Sequence, residues 1–397
     1  MNSIKQKIAA WYETRKKVNH AVFSGKGGYA FILILPLLSI PLASLSFNFV
    51  AETQTSVGYI KKYGNRFKAS CIAASGIELA KTILDAGKMG SGRFLTGRAS
   101  NRNIDSYEDI WALDFPAFPL EDGTLKLEIC DENSKINLNA FANEVTEQTR
   151  YYYMAQTFFI NMGLPIDFAH IIHDWIDIDD SRLPYGAESG DYYMTLTPPY
   201  RAKNSALDSM DELFMLKGIT PEIFYGLGGG NFGKEENLVT HNKGDLSIDI
   251  ERLTEMLSGD NSAMAEKRRD IKIGKEKSRA LEDYFRVYGD NKDFLHDYNK
   301  ININTASYRV ISALTENMTD DKVTEIIRRR LIKPFSTVNE IKDIVQNDSE
   351  FEILRKYITV RSFIFKIKAT AYVNSAETKI TAYYNRDNKK LLYWCEE

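Results

Sequence analysis

The chain has 397 residues, enough for two or three domains with buried cores. Hydrophobic residues make up 44% and charged residues 26% of the chain, ordinary proportions that exclude wholesale disorder. The net charge of -3 gives no general attraction to nucleic acid, and three scattered cysteines exclude a disulfide framework and a cysteine-rich zinc site.

The amino terminus combines a basic leader with an apolar helix. No charged residue or histidine occurs between Lys26 and Glu52. As a helix, residues 29–51 would span about 34 Å, against about 30 Å of hydrocarbon in a bilayer. Residues 1–28 carry six basic residues and one acid, so we expect the amino terminus to face the cytoplasm and the bulk of the chain to lie outside.

The leader has two interpretations. An ordinary signal peptide is one, but the apolar stretch is longer than usual and no A-x-A-like site closes it. The other is removal by a prepilin peptidase between Gly28 and Tyr29, because a basic leader, a glycine and an uninterrupted apolar helix form the pattern that these enzymes read. Removal of six basic residues and one acid would change the net charge from -3 to about -8.

Beyond the apolar stretch the helix is predicted to continue to about Gly87 as an amphipathic segment. Its apolar residues recur every three or four positions, which is typical of one buried helix face: Val57, Ile60, Tyr63, Phe67, Cys71, Ala74, Ile77, Ala80 and Leu84. Alternating apolar residues predict a strand at 123–130 and an antiparallel meander at 360–395.

The middle of the chain is mostly helical in pattern and contains an internal repeat. The segment KINLNA at 135–140 recurs as KININTA at 300–306, and each is followed by a polar turn and a short apolar helix, at 207–213 and 335–341. Asp208, Ser209, Ser336 and Thr337 are suitable helix N-caps. Duplication of a small helical unit is one explanation, and chance similarity of asparagine-rich turns is the other. The stretch 226–284 between the repeats is predicted to be a charged surface insertion.

Two motifs of enzymes are present only in part. The glycine-rich stretch 228–235 matches a phosphate-binding loop except for Glu235, where Ser or Thr is needed, and no strand precedes it. His170 and His173 lack the spacing and the glutamate of a zinc protease. No nucleophile elbow or Cys–His pairing is recognisable, so we predict that the protein is not an enzyme.

An acidic stretch, 174–191, is the strongest candidate site. Its carboxylates repel one another unless solvent or a cation screens them. A calcium ion takes six to eight oxygen ligands, which Asp177, Asp179 and Glu188 could begin to supply, although EF-hand spacing is absent. A solvated acidic loop is the alternative. Cys130 and Cys395 each end a predicted strand and could form a disulfide if they are adjacent and outside the cytoplasm.

Several segments resemble the type II secretion system protein K family, a family of minor pseudopilins. They are the leader and apolar helix, SKINLNAF, DWIDIDD, GAESGDYYMTLTPPYRAKNSALDSMDELFMLKGIT, VYGDNKDFLHDYNKININTAS and the final strands. The resemblance implies an α+β fold, in which a pilin-like amino-terminal helix packs on a small antiparallel sheet with a large inserted helical domain of two SAM-like or helix-hairpin-helix-like repeats. The expected segments are the leader 1–28, the helix 29–90, the first part of the core 91–133, the first repeat 134–225, the insertion 226–284, the second repeat 285–356 and the final strands 357–397.

The resemblance also implies a function. Members are processed by prepilin peptidase, sit in the inner membrane with the bulk of the chain in the periplasm, and cap the pseudopilus tip with the minor pseudopilins I and J, meeting the major pseudopilin only indirectly. They lack a glutamate at the fifth mature residue, which is Leu33 here. They carry calcium in the helical domain, for which the matching residues are Asp177, Asp179, Glu188 and Asp191.

A membrane-anchored DNA-uptake protein is the alternative. Residues 301–307 and the basic run 328–330 look like a helix-hairpin-helix module, which holds phosphate with backbone amides of a glycine hairpin. Here the hairpin position, 316–321, has no glycine and three acids, which repel phosphate. We therefore expect no nucleic-acid partner.

Overall fold

The computed structural model describes residues 6–7, 9–16, 27–88, 103–120, 123–141, 149–226, 280–290 and 296–397. The chain forms two units, residues 1–67 and 68–397. The glycine-rich stretch 228–235 lies outside the described residues, as do most of the predicted leader and of the insertion 226–284. At the predicted cleavage position the backbone of Gly28 and Tyr29 is helical, and their side chains lie outside the described part of the chain.

One helix dominates the amino-terminal part of the chain. Helix α1, Gly27–Lys88, has 62 residues and contains Pro36 and Pro41. It is long and apolar enough to cross a membrane, and the side chains of residues 34–50 are exposed. The prediction of one long amino-terminal helix is confirmed.

In the second unit the end of α1 packs on a five-stranded antiparallel sheet. The strands are β1 (Phe118–Leu120), β2 (Gly123–Asp131), β7 (Ile364–Val373), β8 (Ala376–Asn385) and β9 (Lys390–Glu396), in the order β1-β2-β7-β8-β9. The buried helix residues recur every three or four positions: Ala69, Ala73, Ile77, Ala80 and Leu84. The predicted apolar face is therefore buried only at its end, because its earlier members are exposed: Val57, Ile60, Tyr63, Phe67 and Cys71. A Cβ on Gly76 would approach Leu125 Cδ1 to 2.8 Å, so glycine allows the helix to lie close to the sheet. The antiparallel sheet is thus confirmed.

A large helical domain leaves the sheet after β2 and returns at β7. Because β2 and β7 are hydrogen-bonded neighbours, the domain is an insertion within the sheet. Its helices are α2 (Thr149–Asn161), α3 (Asp167–Ile176), α4 (Pro221–Phe224), α5 (Tyr308–Ser312), α6 (Asp320–Ile332), α7 (Lys342–Val345) and α8 (Asp348–Leu354). Two short parallel pairs join β3 (Ile136–Asn137) to β4 (Phe285–Arg286) and β5 (Ile301–Asn302) to β6 (Ile358–Thr359).

The two asparagine-rich segments make equivalent contacts. The Asn139 side chain accepts a hydrogen bond from the Leu207 N–H (2.7 Å) and donates one to the Leu207 carbonyl (2.9 Å). Asn304 makes the same pair of bonds with Phe335, at 2.8 and 3.0 Å. In each case one side chain ties a strand end to the start of a short 3-10 helix, Met210–Met215 or Val338–Ile341.

Buried polar groups join the helical domain to the sheet. Arg386, at the end of β8, forms a two-pronged ion pair with Asp105 at 2.6 and 2.8 Å, and both side chains are buried. Asp131, at the end of β2, accepts hydrogen bonds from Thr305 (2.5 Å) and Ser362 (2.6 Å). Burial raises the pKa of Asp131 to about 6. The bond from Thr305 to Asp131 helps to hold the inserted domain against the sheet, because the buried Asp131 carboxylate would lose this partner in another arrangement.

The predicted disulfide is absent. Cys130 lies on β2 and Cys395 on β9, and strands β7 and β8 lie between them. Three strand spacings amount to about 14 Å, whereas a disulfide needs a Cα separation of about 4.4–6.8 Å. Cys130 and Cys395 are accordingly not joined. Both cysteines do end strands, but the order of strands in the sheet keeps them apart.

Candidate functional site

The acidic stretch begins at the end of helix α3. Asp174 is fully buried in the last turn, and its carboxylate accepts hydrogen bonds from the N–H groups of Leu183 (3.2 Å) and Ala187 (2.9 Å). These bonds fold the following loop back onto the helix. A Cβ on Gly186 would lie 1.9 Å from Asp174 Oδ2, so the loop can approach this carboxylate only with glycine at that position.

The loop then places Glu188 in the interior. Its side chain is only 2% exposed, and its Oε1 atom has no hydrogen-bond partner. Oε2 accepts a hydrogen bond from the Ser189 N–H at 3.2 Å. Asp177, which caps the end of α3, is 9% exposed, and its Oδ1 atom likewise has no partner. A buried carboxylate oxygen without a partner is unfavourable, so a cation or a hydrogen-bond donor near Asp177 Oδ1 and Glu188 Oε1 would stabilise the fold.

A third buried oxygen belongs to Asn204. This residue adopts a left-handed backbone conformation (φ 49°), and its N–H donates to the Trp175 carbonyl at 3.0 Å. Its side-chain nitrogen donates to the Asp179 carbonyl (3.1 Å) and to Asp180 Oδ1 (3.0 Å). This orientation leaves Asn204 Oδ1 buried and without a partner. Asn204, Glu188 and Asp180 line the same cleft, which has a volume of about 880 Å³.

Burial and neighbouring carboxylates raise the pKa of Glu188 and of Asp174. The pKa of Glu188 is raised to about 7, chiefly by burial and then by the nearby carboxylates of Asp174, Asp177 and Asp180, against the Ser189 N–H that lowers it. The pKa of Asp174 is raised to about 6, first by burial and then by Asp177, against the two N–H donors that lower it. Buried carboxylates that lie near one another are costly to ionise, and a bound dication would remove that cost.

The donor atoms fit a hard cation. Asp177 Oδ1, Glu188 Oε1 and Asn204 Oδ1 are all oxygens, which is the ligand type that calcium prefers. A nitrogen is also near: His173 Nδ1 lies 3.1 Å from Asp177 Oδ2, and within the described part of the chain the ligand atoms of His173, Asp174 and Asp177 fall within 4.8 Å of one another. The candidate ligands are therefore three unpartnered oxygens and one nitrogen, a set in which oxygen, the ligand type of calcium, predominates.

The predicted ligand set is assembled in part. Asp177 and Glu188 are both buried, and the Asp177 charge contributes to the raised pKa of Glu188, but Glu188 lines the cleft and Asp177 does not. The Asp179 carboxylate is exposed and accepts from the Ser181 N–H at 2.6 Å. Asp191 is exposed too: one of its oxygens accepts from the Glu188 N–H (3.1 Å), and the other pairs with Arg182 at 2.6 Å.

Asn204 is the residue that sequence reasoning missed. It lies in the segment PPYRAKN, which carries part of the family resemblance but no carboxylate that would suggest a cation ligand. An asparagine that tolerates the left-handed region, 16 residues beyond Glu188, was the only local signal. Its oxygen becomes a candidate ligand only because the loop returns to the end of α3.

The other motifs serve structural roles. His170 contacts Gln156 at 3.1 Å and the Pro184 carbonyl, and its ring lies 5.9 Å from that of Tyr152. It therefore holds the loop against α2 and α3.

The arginines of the DNA-binding alternative are used internally. Arg328 and Arg329 both pair with Glu325 at 2.7 Å. Arg330 donates to the carbonyls of Ile303 and Ala306, both at 2.7 Å. These contacts occupy the guanidinium groups that a phosphate would need, so the geometry gives no support to DNA binding.

Two parts of the chain are similar to a known protein family. Two sequence models of the family described as "Type II secretion system (T2SS), protein K" match residues 134–228 and 301–361. These two matches support an assignment to the type II secretion system protein K family. The matched segments contain both asparagine-rich repeats and the whole acidic site.

Curated members of this family are similar over part of their length. The putative type II secretion system protein K of Escherichia coli K12 is 36% identical over 117 residues, 27% of this chain and 36% of that protein. Protein K of Aeromonas hydrophila is 24% identical over 213 residues, 50% of this chain and 61% of that protein. The matched region therefore spans less than two thirds of these relatives.

A solved structure is similar over most of the fold. It is described as the crystal structure of the GspK-GspI-GspJ complex from the type 2 secretion system of enterotoxigenic Escherichia coli. The match has a TM-score of 0.57 and 17% identity, and it covers 87% of this chain and 99% of the other. At this identity the comparison establishes the fold: a long amino-terminal helix with an antiparallel sheet and a helical domain.

Proposed function

We propose that this protein is a minor pseudopilin of a type II secretion system, a non-enzymatic subunit that caps the tip of the periplasmic pseudopilus together with minor pseudopilins I and J. The observation that carries the proposal is the insertion of a large helical domain between neighbouring strands β2 and β7 of a pilin-like sheet. The likeness to a GspK chain solved in complex with GspI and GspJ supports the choice of partners.

The inserted domain supports a place at the tip. Pilin-type subunits associate through their long helices, and each is followed by another stacked above it. A domain that occupies most of residues 134–360 leaves little room for a subunit above. Leu33 replaces the glutamate that would pair with a neighbour's amino terminus, which suits a subunit that starts the fibre. From this position the protein would promote assembly and limit pseudopilus length, and it would meet the major pseudopilin only indirectly.

The first 51 residues support membrane insertion and processing. The exposed apolar helix supports a single-pass inner-membrane location before assembly. The basic leader supports a cytoplasmic amino terminus and a periplasmic bulk. Prepilin peptidase would cleave between Gly28 and Tyr29.

Calcium binding at the acidic site is part of the proposal. Asp177, Glu188 and Asn204 would hold the ion through their buried unpartnered oxygens, while Asp174 holds the loop in place. Asp179 and Asp191 would contribute at most through water, given their present partners. The ion would supply the positive charge that lets the buried carboxylates ionise together.

We also propose that the two repeats are SAM-like units that bind other proteins. Their equivalent asparagine contacts support a duplicated unit.

Co-purification tests the assignment. The full chain, tagged after Glu397, would be co-expressed with its own pseudopilins I and J and with or without prepilin peptidase. We expect a ternary complex whose K subunit begins at Tyr29 only when the peptidase is present. The major pseudopilin in place of I and J is the control, and we expect it not to co-purify. A chain that keeps Met1 with the peptidase and binds neither I nor J contradicts the proposal.

A gene deletion tests the tip role itself. We expect loss of secretion and altered pseudopilus length. Unchanged secretion and length would mean that the protein does not act as a cap.

A further inference from the structure

A basic segment follows the apolar part of helix α1. Lys61, Lys62 and Arg66 are all exposed, and none forms an ion pair in the described part of the chain. No acidic residue occurs between Glu52 and Glu78. These three cations, together with the exposed tyrosines Tyr59 and Tyr63, are called the basic collar below.

The position of the basic collar relative to a bilayer follows from helix geometry. At 1.5 Å per residue, Lys61 lies about 15 Å beyond Ala51, the last residue of the apolar stretch. The polar headgroups extend about 5–8 Å beyond the hydrocarbon. A lysine side chain reaches about 6 Å, so the ammonium groups of Lys61 and Lys62 come within a Debye length of about 8 Å of the headgroup surface.

The chemistry of the basic collar favours lipid over protein. Cations next to a membrane span are attracted to anionic headgroups, and tyrosine is enriched where a span meets water. Glu52 lies at the edge of the apolar stretch and weakens this attraction, but three cations oppose one acid. An acidic face of another subunit would satisfy the same charges, but the collar's place on the spanning helix itself brings it to lipid without any partner.

We propose that the basic collar binds the anionic headgroups of phospholipids such as phosphatidylglycerol on the outer face of the inner membrane. The contact fixes the depth of the unassembled subunit in the membrane and breaks when the helix leaves the bilayer. This inference rests on the proposed membrane insertion and extends it to a lipid class.

Lipid selectivity measured by electron spin resonance tests the inference. The full chain would be reconstituted in phosphatidylcholine vesicles with a minor fraction of phosphatidylglycerol, and the binding of spin-labelled forms of the two lipids would be compared. The variant K61Q/K62Q/R66Q is compared with K333Q/K356Q/K390Q, which removes the same charge from exposed positions of the folded unit. Because each cation near a surface contributes roughly 1 kcal/mol, we expect the collar variant to lower the preference for phosphatidylglycerol by about five-fold or more, and the control variant to leave it unchanged.

The outcomes separate the inference from the proposed function. Equal preference in wild type and the collar variant overturns the inference while leaving membrane insertion intact. If the collar variant keeps the lipid preference but loses pseudopilins I and J, the collar is a protein contact and the inference is wrong. A wild-type chain that does not float with the vesicles overturns both membrane insertion and the inference.

Discussion

Replacing Glu188 by glutamine should reverse the order of stability in the presence and absence of calcium. Without calcium, wild type keeps a buried carboxylate with an unpartnered oxygen beside Asp174 and Asp177. An unsatisfied buried acceptor costs about 1–3 kcal/mol, and the neutral amide removes the charge repulsion. We therefore expect E188Q to melt at a higher temperature than wild type in a calcium chelator.

Calcium should then stabilise wild type alone. At one hundred times the dissociation constant, a ligand that binds only the folded state adds about 2.7 kcal/mol, or about 4 °C in Tm for a unit that runs from residue 68 to residue 397. In E188Q the loss of a charged ligand should reduce that shift to less than about 2 °C.

Differential scanning calorimetry of the full chain in detergent, with chelator and then with saturating calcium, measures both effects. The matched control is Glu352→Gln, which removes an exposed carboxylate paired with Arg355 and should change stability by less than about 1 kcal/mol in either buffer. If E188Q keeps the full calcium shift, Glu188 is not a ligand. If wild type shows no shift, the calcium site is wrong altogether.

Three further predictions concern the fold around the site. Asp105→Asn should destabilise the protein by about 3–5 kcal/mol in urea denaturation because it leaves the buried Arg386 charge without its partner, and a loss below about 1 kcal/mol would contradict this. The pKa of Asp131 is raised to about 6, so protonation favours the folded state. Its contribution is complete below about pH 4 and is lost as the pH rises through 6, a slope that Asp131→Asn should flatten in urea midpoints measured across that range. Gly186→Ala should abolish the calcium-dependent Tm shift, since its Cβ would displace the Asp174 carboxylate, and an unchanged shift would show that the loop does not need this contact.

The elements were predictable where one face of a segment is buried. The period of three to four in α1 and the alternation in β2 and β7 reflect contacts with a single neighbour, so the pattern alone identifies the element. The repeat was readable for a similar reason. Asn139 and Asn304 make the same hydrogen bonds to backbone groups in equivalent places. Few other side chains can both donate and accept in this way, so asparagine is retained in both segments.

The site was less predictable because its ligands depend on how a loop folds back. Asp179 and Glu188 look alike in the sequence, yet only Glu188 is carried inward, by the turn that Asp174 organises. Cys130 and Cys395 illustrate the same limit at the level of the sheet. Strand ends are visible in a sequence, whereas the order of strands depends on contacts between distant segments.

The insertion of the helical domain also sets the order in which the chain can fold. Leu127 in β2 pairs with Ala369 in β7, 242 residues later. Closing an unstructured loop of that length costs about 5 kcal/mol in chain entropy. A folded helical domain removes most of that cost because its two ends meet at Asn133, whose side chain accepts the N–H groups of Phe363 (2.9 Å) and Ile364 (3.0 Å). We therefore expect the helical domain to form before β2 and β7 pair, so that β2 presents an unpaired edge to β7 until then.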